Sequence, residues 1–162
     1  LRALRDVRVR CPPARLVFAG SWPDPAYERE MRALAAALGV AAAVEFAGFV
    51  PRERLDDLYA RARAFCLMSR CESFGIPAIE AQLFGTPVVS STVCAVPEIC
   101  GAGGLFRDPD DVPGVAAALR TLLEDEAEWA RLSAAARANA ARFSWDECSR
   151  PLVALVAELA GT

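Results

Sequence analysis

Two glutamates, Glu72 and Glu80, stand eight positions apart inside the segment Ser69–Ser90. The apolar run Ala64–Met68 just before it predicts a buried strand, and the Gly-Ile-Pro sequence that starts at Gly75 predicts the first turn of a short helix. The first N–H groups of a helix lack intrahelical acceptors, and a glycine beside them lets a ligand approach the backbone closely. The segment therefore predicts an anion-binding loop flanked by two carboxylates.

Strands and helices that could position this loop alternate along the chain. The predicted strands are short apolar runs, namely Arg15–Ala19, Val44–Ala47, Ala64–Met68, Pro87–Ser90 and a final strand that ends at Phe106. Helices are predicted between and after them, and capping signals at Asp24, Asp125 and Ser144 mark the starts of three. This alternation predicts an α/β fold, with a doubly wound, Rossmann-like parallel sheet that binds ligands at the carboxyl ends of its strands.

The residues around the two glutamates resemble the E-x7-E motif of the retaining family-4 glycosyltransferases. Positions 72–80 are Glu-Ser-Phe-Gly-Ile-Pro-Ala-Ile-Glu, followed by Gly-Thr-Pro-Val-Val at Gly85–Val89 and by Val-Pro-Glu at Val96–Glu98, in the family's order. The resemblance covers nearly the whole chain. It implies that residues 1–162 are the C-terminal, donor-binding half of the two-domain GT-B fold, truncated at the N-terminal edge and without the N-terminal acceptor domain.

This resemblance also implies roles for individual residues. Glu72 is expected to be catalytic, beside the donor sugar, where negative charge can stabilise an oxocarbenium-like transition state. Glu80 is expected to accept hydrogen bonds from the ribose hydroxyls of the nucleotide. Phe49 and Val50 are expected to contact the base through backbone groups. Together with them, the other expected donor-binding residues are Ser73, Phe74, Gly75, Ile76 and Gly20.

Each of these positions also has a simpler explanation. Glu80 could gain only about 0.3–1 kcal/mol from the dipole of its helix. Glu72 could be a solvated loop residue, and the turn around Phe49 could be one that any α/β repeat needs. Arg70 is not assigned to the diphosphate, because in the family that contact comes mainly from an arginine and a lysine of an earlier segment, and this chain has no lysine.

The function that the resemblance implies is transfer of a sugar from a nucleotide-diphosphate sugar to a glycan, lipid or small-molecule acceptor, without a metal or other cofactor. The acceptor would bind through the missing domain, so the isolated fragment is expected to be inactive. Two alternatives stay open: a non-catalytic nucleotide- or partner-binding module of the same fold, and a nucleotide-sugar epimerase or hydrolase. The donor base, the sugar and the acceptor are not determined by the sequence.

Composition limits the other classes of function. A length of 162 residues with 54% hydrophobic and 24% charged residues fits one globular domain with a real core. A net charge of −3 lacks the excess of positive charge that is typical of nucleic-acid-binding domains. The chain has no histidine, which excludes Ser-His and Cys-His dyads and removes the commonest metal ligand.

Cysteine spacing and hydropathy predict the compartment. The six cysteines contain no C-x-x-C pair, and several lie in apolar segments, which favours free thiols in a reducing cytoplasm over a zinc site or a disulfide framework. No apolar run reaches the roughly 20 residues of a membrane span. We therefore expect a cytoplasmic protein, whose full-length form could associate peripherally with a membrane.

Overall fold

The computed structural model describes residues 1–161, so Thr162, the last residue of the expected domain, lies outside them. The strands are β1 (Leu16–Ala19), β2 (Val44–Gly48), β3 (Phe65–Leu67), β4 (Val88–Ser91) and β5 (Gly104–Arg107). The helices are α1 (Arg2–Arg8), α2 (Pro25–Ala37), α3 (Arg52–Arg61), α4 (Ile76–Leu83), α5 (Val96–Cys100), α6 (Val112–Glu124), α7 (Glu126–Ala140) and α8 (Trp145–Ala160). The four strands with predicted bounds agree with the structure to within one residue at each end.

All strand pairs in the described residues are parallel, which confirms the predicted α/β class. The strands form two hydrogen-bonded groups, β1-β2 and β3-β4-β5, instead of the one continuous sheet that was expected. No ladder joins β1 to β3 in the described residues, and a cleft of about 570 Å³ is lined there by Phe18 of β1 and by Cys66 and Leu67 of β3. Leu1, at the start of the chain, also lines this cleft.

Four helices begin at a side chain that caps the backbone. Asp24 accepts a hydrogen bond from the Ala26 N–H at 2.8 Å and opens α2. The same type of contact opens α6, α7 and α8, from the side chains of Asp111, Asp125 and Ser144. Such a cap satisfies one N–H group at a helix end that would otherwise lack an acceptor. The capping signals at Asp24, Asp125 and Ser144 are thus confirmed.

The core surrounds β4, whose four residues are all buried. Val88 packs with α4 and α5, while Val89, on the opposite face of the strand, packs with Leu122 of α6 and Leu132 of α7. Alternate residues of a strand point to opposite faces, so a strand buried on both faces needs two apolar layers. The helix that carries the candidate site, α4, is therefore anchored in the centre of the domain.

Two polar side chains inside this core fasten α4 to α5 and α7. The amide nitrogen of Gln82 donates to the Cys100 carbonyl at 2.9 Å, and that of Asn139 donates to Gln82 Oε1 at 2.7 Å and to the Ile99 carbonyl at 2.8 Å. Gln82 is fully buried and Asn139 is 8% exposed. Buried polar groups of this kind stabilise a fold only while every partner is present.

None of the six cysteines, all of which lie within residues 1–161, forms a disulfide in the structure. Burial raises the pKa of the Cys100 thiol to about 11, so this group is protonated at neutral pH. No helix among the described residues combines the length and the apolar character needed to cross a membrane. The cytoplasmic location stays a prediction.

Replacing Asn139 with alanine should lower the free energy of unfolding by about 1–3 kcal/mol, the cost of leaving buried hydrogen-bonding groups without a partner. The groups concerned are Gln82 Oε1 and the Ile99 carbonyl. Urea unfolding of the purified chain measures this change. Ser133→Ala is the control, because Ser133 is as buried as Asn139 and lies on the same helix but outside this network. Equal losses for the two variants would show that the network does not stabilise the domain.

Candidate functional site

The expected site residues follow the carboxyl ends of three strands. Gly20 follows β1, Phe49 and Val50 follow β2, and the loop with Glu72 follows β3. The Gly20 N–H donates to the Gly48 carbonyl at 2.8 Å, which ties the ends of β1 and β2 together. The structure therefore brings Gly20 next to the loop of Phe49 and Val50. Phe49 is 82% exposed and Val50 is buried.

The start of α4 has the geometry that the sequence predicts for an anion site. Gly75 has a left-handed backbone with φ of 86° and precedes the first helical residue. Its carbonyl accepts a hydrogen bond from the Ala78 N–H at 2.8 Å, which closes the first turn. Within residues 1–161, no protein acceptor is found for the N–H groups of Phe74, Gly75 and Ile76. Three backbone donors at the positive end of a helix thus lack a protein partner, which favours a negatively charged group at this position.

Glu80 lies in the second turn of α4, and side chains from α3 hold both of its carboxylate oxygens. Arg52 Nη1 donates to Oε1 at 2.6 Å, and the Tyr59 hydroxyl donates to Oε2 at 3.2 Å. Arg52 also forms an ion pair with Asp56, with 2.7 Å between Nε and Oδ1. The Glu80 side chain keeps 23% of its surface exposed, so a ligand can still reach it.

The surroundings of both donors keep them protonated. Burial raises the pKa of Tyr59 well above its ordinary value, and the negative charge of Glu80 raises it further. The hydrogen bond from Arg52 to Glu80 likewise raises the pKa of the guanidinium. The Tyr59 hydroxyl therefore stays a donor at any physiological pH.

Arg52 and Tyr59 are the site residues that sequence reasoning missed. They lie 28 and 21 positions before Glu80, on another helix, so no local spacing connects them to it. Tyr59 is the buried residue of α3. A buried tyrosine usually needs a hydrogen-bond partner for its hydroxyl, and this was the one signal that could have pointed to a contact of Tyr59.

Glu72 is held by its own loop and not by α3. Its Oε1 atom accepts a hydrogen bond from the Ser73 N–H at 3.1 Å. Phe74 stands edge-on to Phe143, with 5.7 Å between the ring centroids. Arg70 pairs with Asp110, which ties the start of this loop to the segment before α6. The two carboxylates are thus held by different parts of the structure, and the catalytic role of Glu72 stays a prediction.

The two glutamates lie outside the cleft that separates the two groups of strands. The cleft between β1 and β3 includes Ser69 but neither Glu72 nor Glu80. No group of three or more cysteine, aspartate or glutamate side chains in the part of the chain that the structure describes is placed to hold a metal ion. The expected absence of a metal or other cofactor stays a prediction.

Known proteins match this chain over most of its length. The sequence pattern of the family described as "Glycosyl transferases group 1" matches residues 1–139. An O-antigen chain mannosyltransferase B of Escherichia coli is 41% identical over 107 residues, which are 65% of this chain and 28% of that protein. A D-inositol 3-phosphate glycosyltransferase of Xylanimonas cellulosilytica is 37% identical over 145 residues, 88% of this chain and 35% of that protein. The chain spans about a third of the length of these relatives.

A solved structure gives the same result for the fold. The Anabaena protein HepE, crystallised in complex with UDP, matches with a TM-score of 0.84 at 26% sequence identity. The match covers 96% of this chain and 44% of HepE. Together these matches confirm the predicted resemblance to the group 1 glycosyltransferases of GT-B fold.

Gly75→Ala should lower the free energy of unfolding by at least about 1 kcal/mol more than Gly39→Ala. Both glycines have left-handed backbones, with φ of 86° and 71°. A Cβ atom at position 75 would meet Val96 Cγ2 at 3.1 Å, whereas one at position 39 would have nothing within 4 Å. Urea unfolding of the two variants measures the difference. If both lose the same stability, the turn before α4 does not depend on contact with Val96.

Proposed function

Since the chain belongs to the glycosyl transferases group 1 family, we propose that it is the donor-binding domain of a retaining glycosyltransferase. The enzyme would move a sugar from a nucleotide-diphosphate sugar to a glycan, lipid or small-molecule acceptor. The observation that carries this proposal is the position of Glu80 in α4. It lies about one helical turn after three N–H groups, at the start of the helix, that have no protein acceptor. A nucleoside diphosphate has a group for each: ribose hydroxyls for the carboxylate and phosphates for the N–H groups.

In the proposed reaction, the N–H groups of Phe74, Gly75 and Ile76 bind the diphosphate. Negative charge develops on that leaving group as its bond to the sugar breaks, so fixed donors stabilise the transition state more than the bound substrate. Glu72 faces the donor sugar, where a carboxylate stabilises the oxocarbenium-like character of the reacting carbon. No metal or other cofactor takes part in this scheme.

The base would bind at the loop of Phe49 and Val50. The burial of Val50 supports a contact through backbone atoms, because its side chain is already packed inside the domain. This loop leads directly into Arg52, which contacts Glu80, so base and ribose would occupy neighbouring positions. Gly20 lies behind the same loop. The UDP bound to HepE supports a uridine nucleotide as the first candidate.

We infer that the acceptor binds to another part of a longer protein. The chain spans 28% and 35% of two relatives that are named as sugar-transferring enzymes. Helix α8 is further evidence for a second domain, because none of its described side chains is buried and its apolar side chains could pack against such a domain. Its large apolar residues are between 50% and 90% exposed, and they are Trp145, Leu152, Val153, Leu155, Val156 and Leu159. On this proposal the isolated chain binds the donor nucleotide but transfers no sugar.

The test is a thermal-shift panel of UDP, GDP and ADP with the purified chain, followed by the Glu80→Gln variant. At least one nucleotide should stabilise the chain, by about 2.7 kcal/mol when its concentration is 100 times its Kd. Glu80→Gln should weaken that nucleotide's binding roughly 10- to 150-fold, the usual worth of hydrogen bonds to a charged group.

Glu45→Gln is the matched control, because Glu45 is also paired with an arginine of α3, at 2.6 Å from Arg54, but lies outside the site. This control should bind nucleotide like the parent chain. A Glu80→Gln variant that binds nucleotide normally but melts several degrees lower would show that Glu80 is a structural residue. Failure of all three nucleotides to stabilise the chain would contradict the proposed function itself.

A further inference from the structure

The carboxylate of Glu80 has a limited number of acceptor sites, and the structure shows which of them are taken. A carboxylate offers about four lone-pair sites, two on each oxygen. Arg52 occupies one site on Oε1, and Tyr59 occupies one on Oε2. One site on each oxygen therefore remains, at a side chain that is 23% exposed. Two adjacent acceptor sites suit a ligand with two adjacent hydroxyl groups.

The two donors that hold Glu80 differ in rigidity. Arg52 is 54% exposed, so solvent competes with its ion pair. Tyr59 is 5% exposed and its ring lies between Phe65, edge-on at 5.7 Å, and Phe84, stacked at 6.0 Å. The carbonyl of the same residue accepts a hydrogen bond from the Thr86 hydroxyl at 2.5 Å. The position of Glu80 Oε2 is thus set by a side chain that is itself fixed by the core.

We propose that Tyr59 is the positioning residue of this site, and that its hydrogen bond aims the two remaining acceptor sites of Glu80 at the 2′- and 3′-hydroxyls of a ribonucleotide. This inference rests on the proposed function and adds the residue that positions the carboxylate of its ribose site. A glutamate held in one conformation loses less side-chain entropy when the ligand binds. The selected ligand is a ribonucleoside diphosphate, and a 2′-deoxyribonucleotide leaves one of the two acceptor sites without a donor.

The experiment compares a ribonucleotide with its 2′-deoxy analogue. Of UDP, GDP and ADP, the nucleotide that binds best and its 2′-deoxy form are titrated by calorimetry into the parent chain and into Tyr59→Phe. This substitution removes the hydroxyl and keeps the ring that packs between Phe65 and Phe84. Tyr27→Phe is the matched control, because Tyr27 is the other tyrosine of the chain and is 51% exposed on α2.

Tyr59→Phe should weaken binding of the ribonucleotide roughly 3- to 10-fold, and that of the 2′-deoxy analogue, which keeps one hydroxyl for Glu80, by a smaller factor, since the hydrogen bond acts through Glu80. The preference for ribose should fall accordingly, and Tyr27→Phe should leave both affinities unchanged. In the Glu80→Gln background, Tyr59→Phe should have no further effect, because the two residues act as one unit.

Two results would overturn the inference while the proposed function stands. One is equal weakening of both nucleotides by Tyr59→Phe, which is the result of general damage to the fold. The other is an unchanged ribonucleotide affinity in a variant that melts like the parent chain. If the parent chain binds none of the three diphosphates, the proposed function fails first and this inference fails with it.

Discussion

The left-handed turn at Gly75 is the constraint on which the candidate site depends. With φ of 86° and with Val96 only 3.1 Å from the place of a Cβ atom, this position strongly favours glycine. The turn ends the loop that carries Glu72 and starts α4, so it places the unpaired N–H groups at the start of that helix. It also sets the direction of α4, and therefore the side on which Glu80 meets α3.

Burial makes this arrangement rigid. Helix α4 packs against the fully buried strand β4, and Gln82 ties it to the end of α5 and to Asn139 of α7. A helix fixed in this way on its inner face can leave its N-terminal groups without partners, because packing supplies the stability that capping would otherwise give. At the start of α4 the fold leaves N–H groups without hydrogen-bond acceptors, as is expected at a binding site.

Local features of the structure could be predicted from the sequence, and distant ones could not. The caps at Asp24, Asp125 and Ser144 depend on contacts two or three residues away, and the turn at Gly75 depends on adjacent residues. The pairing of Arg52 with Glu80 joins positions 28 apart, and that of Arg70 with Asp110 joins positions 40 apart. The division of the strands into two groups was missed for the same reason, because strand order is a long-range property that apolar runs do not encode.

The most direct test of the account is a titration of the isotope-labelled chain with UDP, followed through the backbone amide signals in two-dimensional NMR. If the diphosphate binds at the start of α4, the amides of Phe74, Gly75 and Ile76 should show the largest shifts, because their N–H groups gain an acceptor that the protein does not supply. Shifts concentrated at Phe18 and Cys66, on the walls of the cleft between β1 and β3, with those three amides unchanged, would contradict it.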